Sequence, residues 1–160
     1  MSTRNPLTFR RFTERDGPLL ARWLSEAGLG ESRGMDPVGW PRRILENDRI
    51  VCFVAEFRGS VCGFFRLDIA PDRTAELTLL VAPGLRRRGF GRTLLESALV
   101  EARRRRLKRL IAVVDQQNPS ALGFFLSGGF EFSGAVVRGF DHLERWVHGG
   151  DRERPLEIIP

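Results

Sequence analysis

Leu77-Thr78-Leu79-Leu80-Val81, followed shortly by Arg86-Arg87-Arg88-Gly89-Phe90-Gly91, is the stretch whose reading decides the fold. The first five residues are apolar apart from one threonine and read as a buried strand. Beyond the basic segment, Leu94, Leu95, Ala98, Leu99 and Ala102 recur at helical spacing within residues 92–106. A glycine-containing basic turn therefore joins a strand to the N-terminus of a long amphipathic helix. Such a turn gathers unpaired backbone N–H groups at the positive end of the helix dipole. Gly89 and Gly91 carry no side chain, so a ligand can come close to the main chain. Arg86, Arg87, Arg88 and Arg92 surround that point with positive charge, which suits a phosphorylated ligand.

Spacing removes two familiar phosphate loops. The dinucleotide fingerprint needs a third glycine where Leu94 stands, and the triphosphate loop needs Gly-Lys-Ser/Thr, whereas lysine occurs here only at position 108. What remains is Arg-x-x-Gly-x-Gly, preceded by Val81-Ala82-Pro83. Downstream come Asn118-Pro119-Ser120-Ala121, Phe124-Phe125 and Gly129-Phe130. Phe9-Arg10, Thr13-Glu14-Arg15-Asp16 and Leu20-Ala21-Arg22-Trp23-Leu24 stand near the N-terminus. In this combination the chain resembles the GCN5-related N-acetyltransferases over roughly residues 7–147. The resemblance implies an α/β fold with a mixed, mostly antiparallel sheet of about seven strands. Helices would lie on both faces, and the sheet would be splayed between strands four and five. It also implies one N-acetyltransferase domain over residues 1–147, followed by a polar tail at 148–160, and acetyl-CoA as co-substrate.

The elements can be placed coarsely. Strands are expected at 8–12, 50–57, 60–69, 75–81, 109–115, 130–137 and 143–147. Helices are expected at 14–27, capped by Thr13 or Asp16, from Asp36-Pro37 to Glu46, at 91–106 and at 120–128. Gly28 to Gly34 reads as a glycine-containing loop. Arg58-Gly59 reads as a two-residue hairpin turn that pairs Phe57 with Ser60. That register sets Cys62 across from Ala55 and Cys52 across from Phe65, too far apart for a disulfide.

With 29% charged and 42% hydrophobic residues, the composition is that of a globular domain. No apolar run approaches a membrane span and no signal-peptide core is evident, so a soluble, cytoplasmic protein is expected. Two cysteines and two histidines make no convincing metal site. The net charge of +6 and the run Arg103–Arg106 raise the question of nucleic acid. No aromatics interleave with that run, so a solvated face at a helix C-terminus is the better reading. The chain is compatible with a homodimer.

The chemistry that the resemblance implies is acetyl transfer from a thioester to a neutral amine. Leu79, Leu80 and Val81 would offer main-chain contacts to pantetheine, one N–H facing the thioester carbonyl. Residues Arg86 to Arg92, with Gly89, Phe90 and Gly91 among them, would hold the pyrophosphate. Asn118 would bond the pantetheine arm, although an Asx residue before proline also starts turns and helices. Glu76, at the start of the fourth strand, is the candidate general base; in a regular strand it shares a face with Thr78 and Leu80. A solvated strand-end carboxylate is the plainer alternative. Where some members carry a fifth-strand glutamate this chain has Val113, which leaves Asp115 and Asp68 as lesser bases. The family's usual acid, a tyrosine, falls at Phe125, and the chain contains no tyrosine. Phe125 then packs on the pantetheine arm or in the core, and Ser127 or water stands as a substitute acid. The acceptor would be a small-molecule or peptide amine, and Glu31 and Asp36 could attract a cationic one. Two other classes compete: a catalytically weak acyl-CoA sensor, motivated by the missing tyrosine, and a basic nucleic-acid-binding domain.

Overall fold

Arg58 and Gly59 both take positive φ, 51° and 80°, the pair of left-handed residues that a tight hairpin turn requires. They join β2 (Ile50–Phe57) to β3 (Ser60–Ile69), with Phe57 opposite Ser60 as the turn dictates. One pair further the register breaks. Glu56 faces Val61, whereas Ala55 faces Gly63, so Cys62 is an extra residue in a bulge. Cys52 consequently pairs with Arg66, not with Phe65, and the expected Cys62–Ala55 pairing is lost. Both thiols are free and buried.

The computed structural model describes residues 7–27 and 40–148. The loop at 28–34 with Glu31, the helix start at Asp36-Pro37 and the tail from residue 149 lie outside the described residues. Seven strands form one mixed sheet in the order β1-β2-β3-β4-β5-β7-β6. β4 (Thr74–Val81) runs parallel to β5 (Arg109–Asp115), whereas the first and second, second and third, fifth and seventh, and sixth and seventh strands pair antiparallel. The chain divides into two compact units, Met1–Ile69 with Thr78–Ala98, and Ala70–Leu77 with Leu99–Pro160.

In the first unit, β1 (Thr8–Arg11) pairs with β2. The expected first helix is a single 3-10 turn, Glu14–Asp16, leading into α1 (Gly17–Glu26). Asp16 explains the break. Its carboxylate accepts from the Thr13 N–H at 2.8 Å and from both terminal nitrogens of Arg10 at 2.8 Å. Burial alone would raise the Asp16 carboxyl, but hydrogen bonds from Arg10 and Thr13 outweigh it and hold it below the ordinary carboxylate range. Leu20, Trp23 and Leu24 of α1 and Ile44 of α2 (Trp40–Glu46) pack with Cys52, Val54, Phe64 and Leu80 in one core.

In the second unit, α4 (Pro119–Ser127) follows β5, and β6 (Glu131–Val137) and β7 (Phe140–Trp146) close the sheet as a hairpin. β7 begins three residues earlier than expected, because Arg138 and Gly139, with φ of 52° and 81°, make the turn. β6 carries a second irregularity: Phe132 faces Leu143 and Val136 faces Asp141, so residues 133–135 include two extra positions. α3 (Phe90–Arg104), whose residues 90–98 belong to the first unit and the rest to the second, buries Leu94, Leu95, Ala98, Leu99 and Ala102, as its periodicity requires. The basic run closes this helix, with Arg104 and Arg105 paired to the buried Glu101.

Candidate functional site

A short 3-10 turn, Pro83–Leu85, ends β4 and delivers the chain to Arg86. From there the sign of φ alternates: −69° at Arg86, +65° at Arg87, a negative value at Arg88 and +80° at Gly89. The two left-handed residues, Arg87 and Gly89, fold the chain just ahead of α3, whose first N–H groups have no partner within the helix. Gly89 directly precedes α3, and its carbonyl accepts from the Thr93 N–H and hydroxyl, both at 3.3 Å. Nothing lies within 4 Å of where a Gly89 side chain would start, so the main chain is open to approach. Arg86, Arg87, Arg88 and Arg92 are all exposed. Phe90 differs from its neighbours in the motif. Its ring is 2% exposed and 5.1 Å from Phe57, so it anchors the turn and leaves only its main chain for a ligand.

Leu79, Leu80 and Val81 run into this turn. Gly63, in the bulge of β3, lies so close to them that a Cβ there would sit 2.7 Å from the Leu80 carbonyl oxygen and 2.9 Å from Leu94 Cδ1. The bulge and its glycine thus set how β4 and α3 meet. Sequence reasoning passed over Gly63, since nothing local distinguishes it from a strand glycine. Ala75 and Leu77 are buried, but so are Thr78 and Leu80. The burial alternation changes phase between Leu77 and Thr78.

In the second unit, the pairings Glu76↔Ile111 and Val113↔His142 define a common face. Glu76, Ile111, Val113, His142 and Glu144 line it, and all are half-buried. Ala75, Leu110, Ala112, Val114 and Leu143 fill the opposite, buried face. Asp115 accepts from the Gln117 N–H at 2.9 Å and so shapes the turn after β5. Asp68, the other lesser base, belongs to the first unit and pairs with Arg66 at 2.8 Å. Asn118 caps α4, its Oδ1 accepting from the Ala121 N–H at 3.1 Å. That bond uses the oxygen and leaves the amide nitrogen to donate to a ligand. Phe125 is 9% exposed and sits edge-on between Phe124 and Phe130, with centroids 5.1 and 5.2 Å away. Ser127 donates to the Phe124 carbonyl at 2.9 Å, a bond any role as an acid would have to break.

Burial pushes the Cys52 thiol up to about 12, so it stays protonated and inert at neutral pH. Among the described residues, no group of three or more His, Cys, Asp or Glu is placed to hold a metal ion. No helix among them is long and apolar enough to cross a membrane.

Over residues 19–130 the sequence matches the acetyltransferase (GNAT) family. A search of curated proteins finds no match. The structure is similar to spermidine N-acetyltransferase from Vibrio cholerae in complex with CoA and spermine, with a TM-score of 0.76 at 20% identity, covering 88% of this chain and 95% of that one. It is similar to PaiA N-acetyltransferase from Thermoplasma acidophilum in complex with coenzyme A, with a TM-score of 0.73 at 19% identity, covering 88% and 99%. A dodecameric structure of the Vibrio cholerae enzyme aligns with a TM-score of 0.72 at 19% identity, covering 88% and 94%. At these identities the likeness is one of fold.

Proposed function

Because the chain belongs to the acetyltransferase (GNAT) family, we propose that it moves an acetyl group from acetyl-CoA to a primary amine, directly within a ternary complex. The observation that carries this reading is the turn from Arg86 to Gly89. Its place at the N-terminus of α3, its open main chain and its exposed arginines suit a pyrophosphate. In this reading the N–H groups of Gly89, Phe90 and Gly91 and the side chains of Arg86, Arg87, Arg88 and Arg92 hold that group. The main chain of Leu79, Leu80 and Val81 takes the pantetheine, with the Asn118 amide and the Phe125 ring along the arm. Residues 1–147 act as one catalytic domain, and the tail at 148–160 has no assigned part. Free cysteines suit the reducing cytoplasm.

Acetyl transfer needs the acceptor as a free amine, because an ammonium has no lone pair to attack the thioester. Glu76, half-buried on the open face of the second unit, is the proposed base. An N–H of β4 would then steady the oxyanion as the carbon–nitrogen bond forms. The thiolate needs less help, since a thiol pKa near about 8.5 makes it a tolerable leaving group without a tyrosine. The acceptor is a small-molecule or peptide amine. Two of the similar structures are described with polyamine acetyltransferases, so spermidine belongs in any acceptor panel.

One experiment tests this function: acetyl-CoA affinity by calorimetry, with thiol release measured over spermidine, aliphatic amines and peptides with free amino termini. Transfer to at least one amine, lost in Glu76→Gln with acetyl-CoA affinity retained, is the expected result. The second reading, an acyl-CoA sensor, is favoured by the absence of any tyrosine and by the packing of Phe125 among aromatic rings. Tight acetyl-CoA binding with no transfer to any amine would decide for the sensor.

A further inference from the structure

We propose that His142 is a second proton-transfer residue of the acceptor site, relaying to solvent the proton that the acceptor ammonium must lose. The inference rests on the acetyltransferase reading above. It starts from register. β7 sets His142 directly beside Val113 of β5, and β5 sets Ile111 beside Glu76 of β4. Side chains paired in this way emerge on the same face, so the imidazole and the Glu76 carboxylate rise from one half-buried surface. Two strand spacings and two residues of rise separate their Cα atoms by about 12 Å. Both side chains reaching inward leave room for an amine and a short water chain.

The place is held firmly. The His142 carbonyl accepts from the Ser133 hydroxyl at 2.8 Å, and β7 is paired on both sides. The charged groups around the imidazole are accounted for. Glu144, two residues along the same face, is bound to Arg109 at 2.7 Å. Asp115, across on β5, is bound to the Gln117 N–H. Glu131 faces Glu144 from β6, and Asp141, next in sequence, turns to the opposite face and accepts from Gln116. The protein has two histidines, and the other, His148, lies beyond β7.

The chemistry balances with one proton released. The acceptor ammonium gives its proton through water to Glu76, and the carboxylate passes it to the imidazole, which delivers it to solvent. The amine lone pair forms the carbon–nitrogen bond, the carbon–sulfur bond breaks, and coenzyme A leaves as thiolate. The proton shed by the new amide nitrogen neutralises that thiolate. An imidazole can both accept a proton at one nitrogen and give one up at the other, which suits it to pass on the proton that the carboxylate takes up.

The test is steady-state acetyl transfer to spermidine and to a peptide with a free amino terminus, comparing wild type with His142→Ala and His142→Gln. Expected is a fall in kcat of about tenfold or more in both variants. Acetyl-CoA affinity and melting temperature should be unchanged, and the pH–rate profile should lose one of its limbs. Added imidazole should restore part of the rate in His142→Ala alone, because only that variant leaves a space for it. An active wild type whose variants keep both kcat and pH profile overturns the relay and leaves the acetyltransferase reading standing. A wild type that binds acetyl-CoA and acetylates neither amine overturns the relay together with that reading.

Discussion

At the scale of single residues, the sharpest statements concern Gly89 and Phe125. Gly89 holds φ at +80° with open space where a side chain would start. A β-branched residue there is strained and covers the N–H groups that face a ligand. Losing one charge-assisted hydrogen bond is worth about 1.5–3 kcal/mol, so Gly89→Val should weaken acetyl-CoA binding by about tenfold or more. Arg86→Ala should cost less, since one of several charges goes and the main chain stays open. Calorimetry giving wild-type affinity in Gly89→Val would remove the turn from the site. Phe125→Tyr restores the phenol that the chain lacks. We expect a modest gain in turnover. If the hydroxyl finds no partner among Phe124 and Phe130, the variant loses about 1–3 kcal/mol of stability instead. Turnover and melting temperature measured on the same sample separate an acid site from a core site.

At the scale of elements, two contacts hold the first unit in shape. Gly63→Ala would push a methyl to 2.7 Å from a carbonyl oxygen that belongs to the backbone of β4 and cannot swing aside. A cost of about 1–3 kcal/mol in urea unfolding is expected. Because the clash falls on Leu80, acetyl-CoA affinity should fall with it. The second contact is the clamp of Arg10 on Asp16, whose side chain is only 7% exposed. Asp16→Asn should cost about 1–2 kcal/mol at pH 6, because Arg10 is partly exposed and keeps Glu56 as a partner. The sign of the pH effect follows from the lowered carboxyl: its stabilisation is complete above the unfolded value of about 3.9 and is lost as pH falls through the folded value. The gap between wild type and Asp16→Asn should therefore narrow in unfolding curves taken near pH 3. Most strand and helix spans were legible because their apolar patterns are strong and some of their turns carry a glycine, Arg58-Gly59 and Gly128-Gly129 above all. The bulge at Cys62 was not, since an extra residue leaves no mark until the two strands are paired. His142 was hidden for a related reason. It lies 66 residues beyond Glu76, and only the registers of β4, β5 and β7 bring the two onto one face.

At the scale of the whole molecule, β6 asks for a partner. It is the last strand of the sheet, all of Glu131–Val137 is exposed, and Phe132, Val136 and Val137 each keep more than half of their surface in solvent. An apolar edge of this kind promotes pairing with another strand. A second copy fits it by symmetry. In an antiparallel pairing about a two-fold axis between Gly134 and Ala135, Glu131 meets the partner's Arg138 and Phe132 meets the partner's Val137. Opposite charges close both ends, and apolar side chains lie inside them. The bulge at 133–135 bends the middle of the strand, so the contact falls on the two ends. One short strand buries less than the roughly 800 Å² per partner of a standard interface, so the dimer should be a weak one. Sedimentation velocity across a concentration series should show monomer giving way to dimer as the protein concentration rises. Phe132→Lys should remain monomeric throughout and bind acetyl-CoA as the wild type does, because Phe132 belongs to neither the turn nor the open face. A wild type that stays monomeric at the highest concentration would show that the bulge protects this edge and does not shape it for a partner.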